Sequence, residues 1–282
     1  MRRLLSLFIV TLALYAQPRR VVSTAPSFTE TVYAIGAGDH VVGVSVYCHF
    51  PKEAESVAKV GTYLRPNVEA IVRLKPDLVL VHKEQPQVAA QLNRLGIATL
   101  ALTNTSLDDT YTSIREVGAA LKMTTEAARL EQSIRSRLET LRRATSGQPR
   151  KSLLFVVGRT PGRLEGLVAV GKGSFLNELI AIAGGRNALA DSLVTYPQIS
   201  VEAVLRIDPD VIVDMGDMSE TVGVTEAHKQ DVVKLWQKQP GLKAVASGRV
   251  YAVAADIFVV PGPRIAEAAE AFAKMLHQGS LR

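Results

Sequence analysis

Few residue patterns in this 282-residue sequence have the types and spacing that covalent chemistry requires. Gly171-Lys172-Gly173 falls between an expected strand and an expected helix, as a phosphate-cradling loop would. Leu176 stands where a dinucleotide fingerprint needs its third Gly, however, and no Walker-type Gly-Lys-Ser/Thr occurs. There is no Gly-x-Ser-x-Gly nucleophile elbow and no His-Glu-x-x-His zinc helix. His40, His49, His82, His228 and His277 are scattered without paired ligand spacing, so no metal site is expected. Cys48-His49 is the one soft-donor pair. Neighbours on a strand face opposite sides, which argues against joint coordination or a catalytic dyad. Cys48 reads as a small buried side chain, and His49 as the better placed of the two to meet the metal of a metal-bearing ligand. No catalytic residue and no cofactor are assigned.

Two carboxylates are more informative. The stretch Val68 to Leu80 matches the pattern of Val201 to Val213, at a spacing of 133 residues. One long-period match is not a solenoid; it points to two lobes built on one plan. Each copy reads as a short helix, then Pro-Asp, then a buried strand. Asn67 and Ser200 suit the N-cap, which puts Glu69 and Glu202 at the second helical position. A capping box would need the acid one residue later, where Ala70 and Ala203 stand. Both carboxylates gain from the helix dipole without being committed to a local backbone bond. They are free either to serve as dipole partners alone or to grip a symmetric basic partner.

The elements that must position these residues alternate between strand and helix, which predicts an α/β protein of two Rossmann-like lobes with mainly parallel sheets. Strands are expected at 20–23, 41–44, 78–81, 98–102, 152–157, 167–170, 211–214 and 250–253. Ser27-Phe28-Thr29-Glu30 has the pattern of a capping box opening a helix that stops near Gly36. Further helices are expected at 107–121, from Ser174, and at 264–277. Between the halves, 124–144 lacks Gly and Pro. Its apolar stripe of Ala127, Leu130, Ile134, Leu138 and Leu141 predicts one amphipathic helix about 30 Å long. The expected division is a signal peptide at 1–16, an N-terminal lobe at 17–122, a rigid linker helix at 123–147 and a C-terminal lobe at 148–282.

Composition sets the context. Hydrophobic residues make up 47% and charged residues 21%, which excludes a disordered or collagen-like chain. The basic start Met1-Arg2-Arg3 and the apolar run Leu4 to Leu14 fit a secretory signal ending near Ala16, too short to span a bilayer. Removing it leaves 31 basic and 27 acidic residues, a net charge of +4 spread along the chain rather than gathered into a nucleic-acid patch. Cys48 is the only cysteine, so no intramolecular disulfide can form, and it lies far from the signal, so lipid attachment there is not expected. The expectation is a soluble periplasmic monomer.

The sequence resembles the helical-backbone (class III) periplasmic binding proteins that feed ABC importers for cobalamin, ferric siderophores and haem. The likeness covers essentially the whole mature chain and is nearest to the cobalamin-binding members. It is carried by Ala25-Pro26-Ser27-Phe28-Thr29-Glu30, Val44-Ser45-Val46-Tyr47, Asn67-Val68-Glu69, Lys75-Pro76-Asp77-Leu78-Val79, Tyr196-Pro197-Gln198-Ile199-Ser200 and Pro263-Arg264-Ile265. The resemblance implies that Glu69 and Glu202 dock onto arginines of a membrane permease dimer and that a ligand is held between the lobes. It also implies cleft positions for Tyr47, Tyr63, Tyr196, Asp256 and Phe258, with Phe175 a further candidate. Tyr63, Tyr196 and Ile257 stand where the cobalamin binders carry Trp, which leaves haem and ferric siderophores as alternatives to a corrinoid. Arg264 is open to two readings, an acidic-ligand contact or a structural residue at a helix start. Thirteen aromatic rings follow Ala16, and the expectation is that the cores use few of them while the cleft gathers five. The competing class is an exported α/β hydrolase using cleft carboxylates or His49. An enzyme should show an acid–base pair converging on the cleft, whereas a receptor should show rings without one.

Overall fold

Runs of β-branched and aliphatic residues form the inner strands of two sheets in the computed structural model, which describes residues 17–216 and 225–277. The expected signal segment lies outside the described residues. The first sheet is wholly parallel, in the order β2 (Val41–Val44), β1 (Val21–Ser23), β3 (Leu78–His82), β4 (Ala98–Leu102). Leu78 to Val81 are buried on both faces, as a parallel strand covered by helices requires. Helices α1 (Pro26–Ala34), α2 (Val68–Arg73), α3 (Pro86–Arg94) and α4 (Leu107–Ala120) complete this half.

The linker helix α5 runs Thr124–Thr145. Ala127, Ile134 and Leu138 are buried, and Leu130 and Leu141 pack against the same cluster, so the stripe faces inward as expected. Glu131, which the periodicity places on the wet face, is held by Arg115 at 2.7 Å and Arg135 at 2.8 Å.

The second sheet has six strands: β5 (Ser152–Gly158), β6 (Leu167–Ala169), β7 (Arg186–Asn187), β8 (Gln198–Ile199), β9 (Val211–Asp214) and β10 (Val250–Ala252). The order is β10-β9-β5-β6-β8, with β7 also on β5. Strands β7, β9 and β10 run parallel to their neighbours, but β6 is antiparallel to both β5 and β8. The short segment between β5 and β6 turns through Gly162 and Gly166 at positive φ; it is too short for the crossover that a parallel pair needs. Helices α6 (Phe175–Ile182), α7 (Val201–Ile207), α8 (Glu226–Gln237), α9 (Lys243–Ala246) and α10 (Ile265–Leu276) cover this sheet.

One apolar cluster runs from Val21, Phe28 and Ile114 through Ile134 and Leu138 to Phe155, Leu179 and Phe272. The two sheets therefore share a core, and a shared core of this kind opposes large rigid-body opening.

The two repeats fold alike. Asn67 Oδ1 accepts from the Ala70 amide at 3.0 Å, and Ser200 Oγ from the Ala203 amide at 3.3 Å. The residues after the two helices, Lys75 and Asp208, are left-handed at φ 46° and 47°. The Pro-Asp that follows has a role that periodicity does not reveal. The Asp77 carboxylate accepts from the Arg19 and Arg20 amides at 2.9 and 3.0 Å, at the start of β1. Asp210 accepts from the Ser152 amide at 2.7 Å and from its hydroxyl at 3.0 Å, at the start of β5. Each repeat thus clamps the first strand of its own sheet.

The capping box expected at Ser27 to Glu30 is not formed. Pro26 opens α1 with Ala25 as N-cap and no side-chain cap, because its fixed φ suits the first helical position. Ser27 is then inside the helix, where its hydroxyl accepts from Asn104 Nδ2 at 2.5 Å, and Glu30 turns to another partner described below. The clamps give a stability prediction. Asp210→Ala should cost about 1–2 kcal/mol by urea unfolding, and the more exposed Asp77→Ala about 1 kcal/mol or less, with the double variant close to additive.

Candidate functional site

Ligands of open α/β sheets bind beyond the carboxyl ends of the strands; Tyr47 and Tyr63 lie there in the first sheet, and Tyr196 lies in the loop that enters β8. The Val46 amide donates to the Gly61 carbonyl at 2.9 Å, which lays the turn carrying Tyr63 alongside the end of β2 carrying Tyr47. Their rings meet edge to face at 6.1 Å. Tyr63 in turn lies 6.2 Å from the His82 ring, at the end of β3. Tyr196 approaches from the second lobe: its hydroxyl is 3.1 Å from Ser174 Oγ, the N-cap of α6. Burial raises the Tyr196 phenol above its ordinary pKa and the nearby Tyr63 adds to the rise, while Ser174 opposes it. Tyr47, Tyr63 and Tyr196 remain 48%, 39% and 43% exposed, an unusual retention of ring surface in a chain so poor in aromatics.

The other expected cleft rings are placed differently. Phe258 is 3% exposed and packs against Phe155 at 5.7 Å and Phe272 at 5.2 Å. Phe175 is likewise buried at the start of α6. The core claims both, together with Phe28, Phe155, Phe272 and Trp236. The expectation of few core rings and five cleft rings is therefore corrected: Phe28, Tyr111, Phe155, Phe175, Trp236, Phe258 and Phe272 are buried, while Tyr47, Tyr63 and Tyr196 keep exposed rings. Among the described phenylalanines Phe50 is the exception, exposed beneath the Arg264 guanidinium at 3.9 Å.

Asp256 is committed too. Its carboxylate lies 2.9 Å from Arg264 Nη2. Arg264 also makes a two-pronged contact with Glu30 of α1, at 2.9 Å from Nε and 2.5 Å from Nη2. These bonds resolve the two readings of Arg264 in favour of the structural one. Burial pushes the Glu30 carboxyl up to about 7, against the downward pull of Arg264. Burial disfavours the Arg264 charge, but the bonds to Glu30 and Asp256 hold its pKa above the usual guanidinium value. Removing one partner of a buried pair strands the other charge.

Glu69 and Glu202 are exposed on their short helices. Glu69 makes only a loose pair with Arg73 at 3.6 Å. Glu202 is less free than its spacing implies: bonds from the Ser200 hydroxyl and its own amide hold its carboxyl below the usual range. Cys48 is fully buried beside Thr29 Oγ1 at 3.2 Å, and burial pushes its thiol up to about 11. It is a core residue, and His49 next to it is half-buried.

The Gly171-Lys172-Gly173 segment is no phosphate cradle. A Cβ on Gly171 would sit 2.2 Å from the Val194 carbonyl oxygen, so the glycine admits the loop that carries Tyr196. The first α6 amides are already bonded, Phe175 to the Thr105 carbonyl at 3.0 Å and Leu176 to Ser174 Oγ at 3.2 Å. A shallow depression of about 420 Å³ is lined by Asp210, Lys243 and Arg249, at the amino ends of β9 and β10. Among the described residues, no group of three or more His, Cys, Asp or Glu side chains could hold a metal ion.

Sequence reasoning missed three features. Tyr63 and Tyr196 stand at the same 133-residue spacing as the repeat, a signal that was available had the match been extended toward the N-terminus. Asp214 is fully buried and accepts from Arg159 Nε at 2.9 Å and Trp236 Nε1 at 2.6 Å, fixing the end of β9. His82 carries no periodic signature and is found only by its position.

Two outcomes follow from this geometry. Cys48 should be unreactive toward a disulfide reagent at pH 8 in the folded protein and react fully in urea; fast native reaction would contradict its burial. Arg264→Ala should lower unfolding stability by about 3 kcal/mol, because Glu30 keeps its burial and loses its counter-ion.

Residues 21–257 match the family described as periplasmic binding protein. The ABC transporter substrate-binding lipoprotein YvrC of Bacillus subtilis is 32% identical over 94% of this chain and 82% of its own length. The crystal structure of the periplasmic vitamin B12 binding protein BtuF of Vibrio cholerae superposes with a TM-score of 0.76 at 28% identity, over 92% of this chain and 97% of that one. The periplasmic heme-binding protein RhuT of Roseiflexus sp. RS-1, in apo form, gives 0.77 at 26% identity over the same shares. Among the described residues no helix is long and apolar enough to cross a membrane. The chain belongs to the periplasmic binding protein family, whose members are substrate-binding proteins of ABC transporters rather than enzymes.

Proposed function

We propose that this protein binds a corrinoid between its lobes in the periplasm and presents it to a permease dimer through Glu69 and Glu202. The observation that carries this reading is the gathering of Tyr47, Tyr63 and Tyr196 from both lobes at the strand ends, with their rings still exposed. Flat rings suit a planar macrocycle, and phenol hydroxyls suit its amide rim. The vitamin B12 binding relative agrees with a corrinoid. Glu69 and Glu202 support the docking role by their exposure at matching helix starts. His82 and Glu84 form an acid–base pair near the rings, the feature expected of the hydrolase alternative, but no hydroxyl or thiol is bonded to the imidazole among the described residues, and the family match favours a receptor. Haem is the second reading, favoured by the neighbouring Tyr63 and His82 as donors to ferric iron and by the heme-binding relative.

Titrating the purified protein with cobalamin, cobinamide, haemin and a ferric siderophore tests the ligand class. Trp236, the only tryptophan, is buried, so energy transfer to a coloured ligand should quench its emission. One-to-one binding of a corrinoid at about 1 μM or tighter is expected, and Tyr63→Ala with Tyr196→Ala should abolish it. Failure of all four ligands removes the assignment. Glu69→Ala with Glu202→Ala should keep ligand affinity and stop uptake; lost binding in that double variant would count against docking.

A further inference from the structure

The end of β3 presents a side chain that the tyrosine-lined reading does not use. His82 is the last residue of that strand, its side chain 14% exposed, wedged between the Phe28 ring at 4.8 Å and the Tyr63 ring at 6.2 Å. Its Nδ1 lies 3.4 Å from Glu84 Oε2. The opposite ring nitrogen, Nε2, has no hydrogen-bond partner among the described residues. A carboxylate on one imidazole nitrogen fixes the tautomer and leaves the lone pair on the other, which is how metal-ligating histidines are oriented. Burial lowers the His82 pKa, with Glu84 pulling it back up. The strand end is rigid, because β3 pairs with β1 on one side and β4 on the other. Nearby, Gln85 donates from Nε2 to the Tyr63 carbonyl, tying the turn that carries Tyr63 to the segment following His82. His49, the histidine that sequence favoured for such a role, has neither a carboxylate partner nor a ring contact among the described residues.

We propose that His82 Nε2 is an axial donor to the metal of the bound ligand, so that the receptor selects planar metal chelates with an exchangeable axial position. This rests on the receptor reading and deepens it. A chelate whose axial faces are both blocked by inert groups would forgo the bond, whereas one carrying water on an axial face would exchange that water for imidazole. The exchange is ligand substitution: a metal–water bond breaks, a metal–nitrogen bond forms, and no electron is transferred. Glu84 is a positioning residue, acting through the imidazole.

The test uses diaquacobinamide, which has no nitrogenous base of its own, and ferric haemin. With the wild-type protein, bound cobinamide reduced to Co(II) should show nitrogen superhyperfine splitting in its electron paramagnetic resonance spectrum, and bound haemin should show a nitrogen-ligated spectrum. His82→Ala should lose whichever of these signatures the wild type shows, and Glu84→Gln should weaken affinity about tenfold. His49→Ala should leave both signatures in place. Should His82→Ala not fold, a wild-type spectrum without nitrogen ligation still overturns the proposal, and a nitrogen signature kept in His49→Ala supports it. A chelate that binds without any nitrogen signature, or a metal signature lost in Tyr63→Phe but kept in His82→Ala, overturns the axial role and leaves the receptor intact. If neither chelate binds, both readings fail together.

Discussion

The placement of the cleft depends first on Arg264, the point at which charges from the two lobes meet. Its guanidinium stands at the start of α10 in the second lobe and is gripped by Glu30 of α1 in the first, with Asp256 alongside and the Phe50 ring beneath. A buried charge must be paired, so the three groups fix one another, and through them they fix two loops. Phe50 lies three residues after Tyr47, and Asp256 begins the turn that places Phe258 in the core. The register of exposed rings against core rings is thus set in part by an ion cluster and not by apolar packing alone.

The repeat shows how one short segment can join binding to handover. In each lobe a tyrosine precedes by six residues a glutamate at the start of a helix, and a left-handed residue and a Pro-Asp clamp follow. The tyrosine keeps an exposed ring, the glutamate faces solvent, and the aspartate holds the first strand of the sheet. In the proposed function, one face of the segment grips the ligand and the other meets the permease. Because both lobes carry the same segment, a two-fold permease would meet a nearly two-fold surface.

Much of this was legible before any coordinates. The N-caps at Asn67 and Ser200, the inward stripe of α5 and the exposure of Glu69 and Glu202 all follow from local pattern, because short-range periodicity decides them. Features decided by distant contacts were not legible. Ser27 to Glu30 has a capping-box pattern, but Pro26 starts the helix earlier and Arg264, more than 200 residues away, claims the glutamate. Family position suggested Phe258 and Phe175 as cleft rings, yet only packing shows that the core had already taken them. His82 stood unnoticed among scattered histidines, since what distinguishes it is its place at a strand end between two aromatic rings.

The most direct test of the account is the position of the ligand's metal. A crystal of the protein grown with cobinamide or haemin would show it by anomalous scattering, independent of any assumed pose. The account predicts a single peak between Tyr63 and Tyr196, on the His82 side of the cleft. A peak on the outer surface, or one beside the Asp210–Arg249 depression, would contradict it.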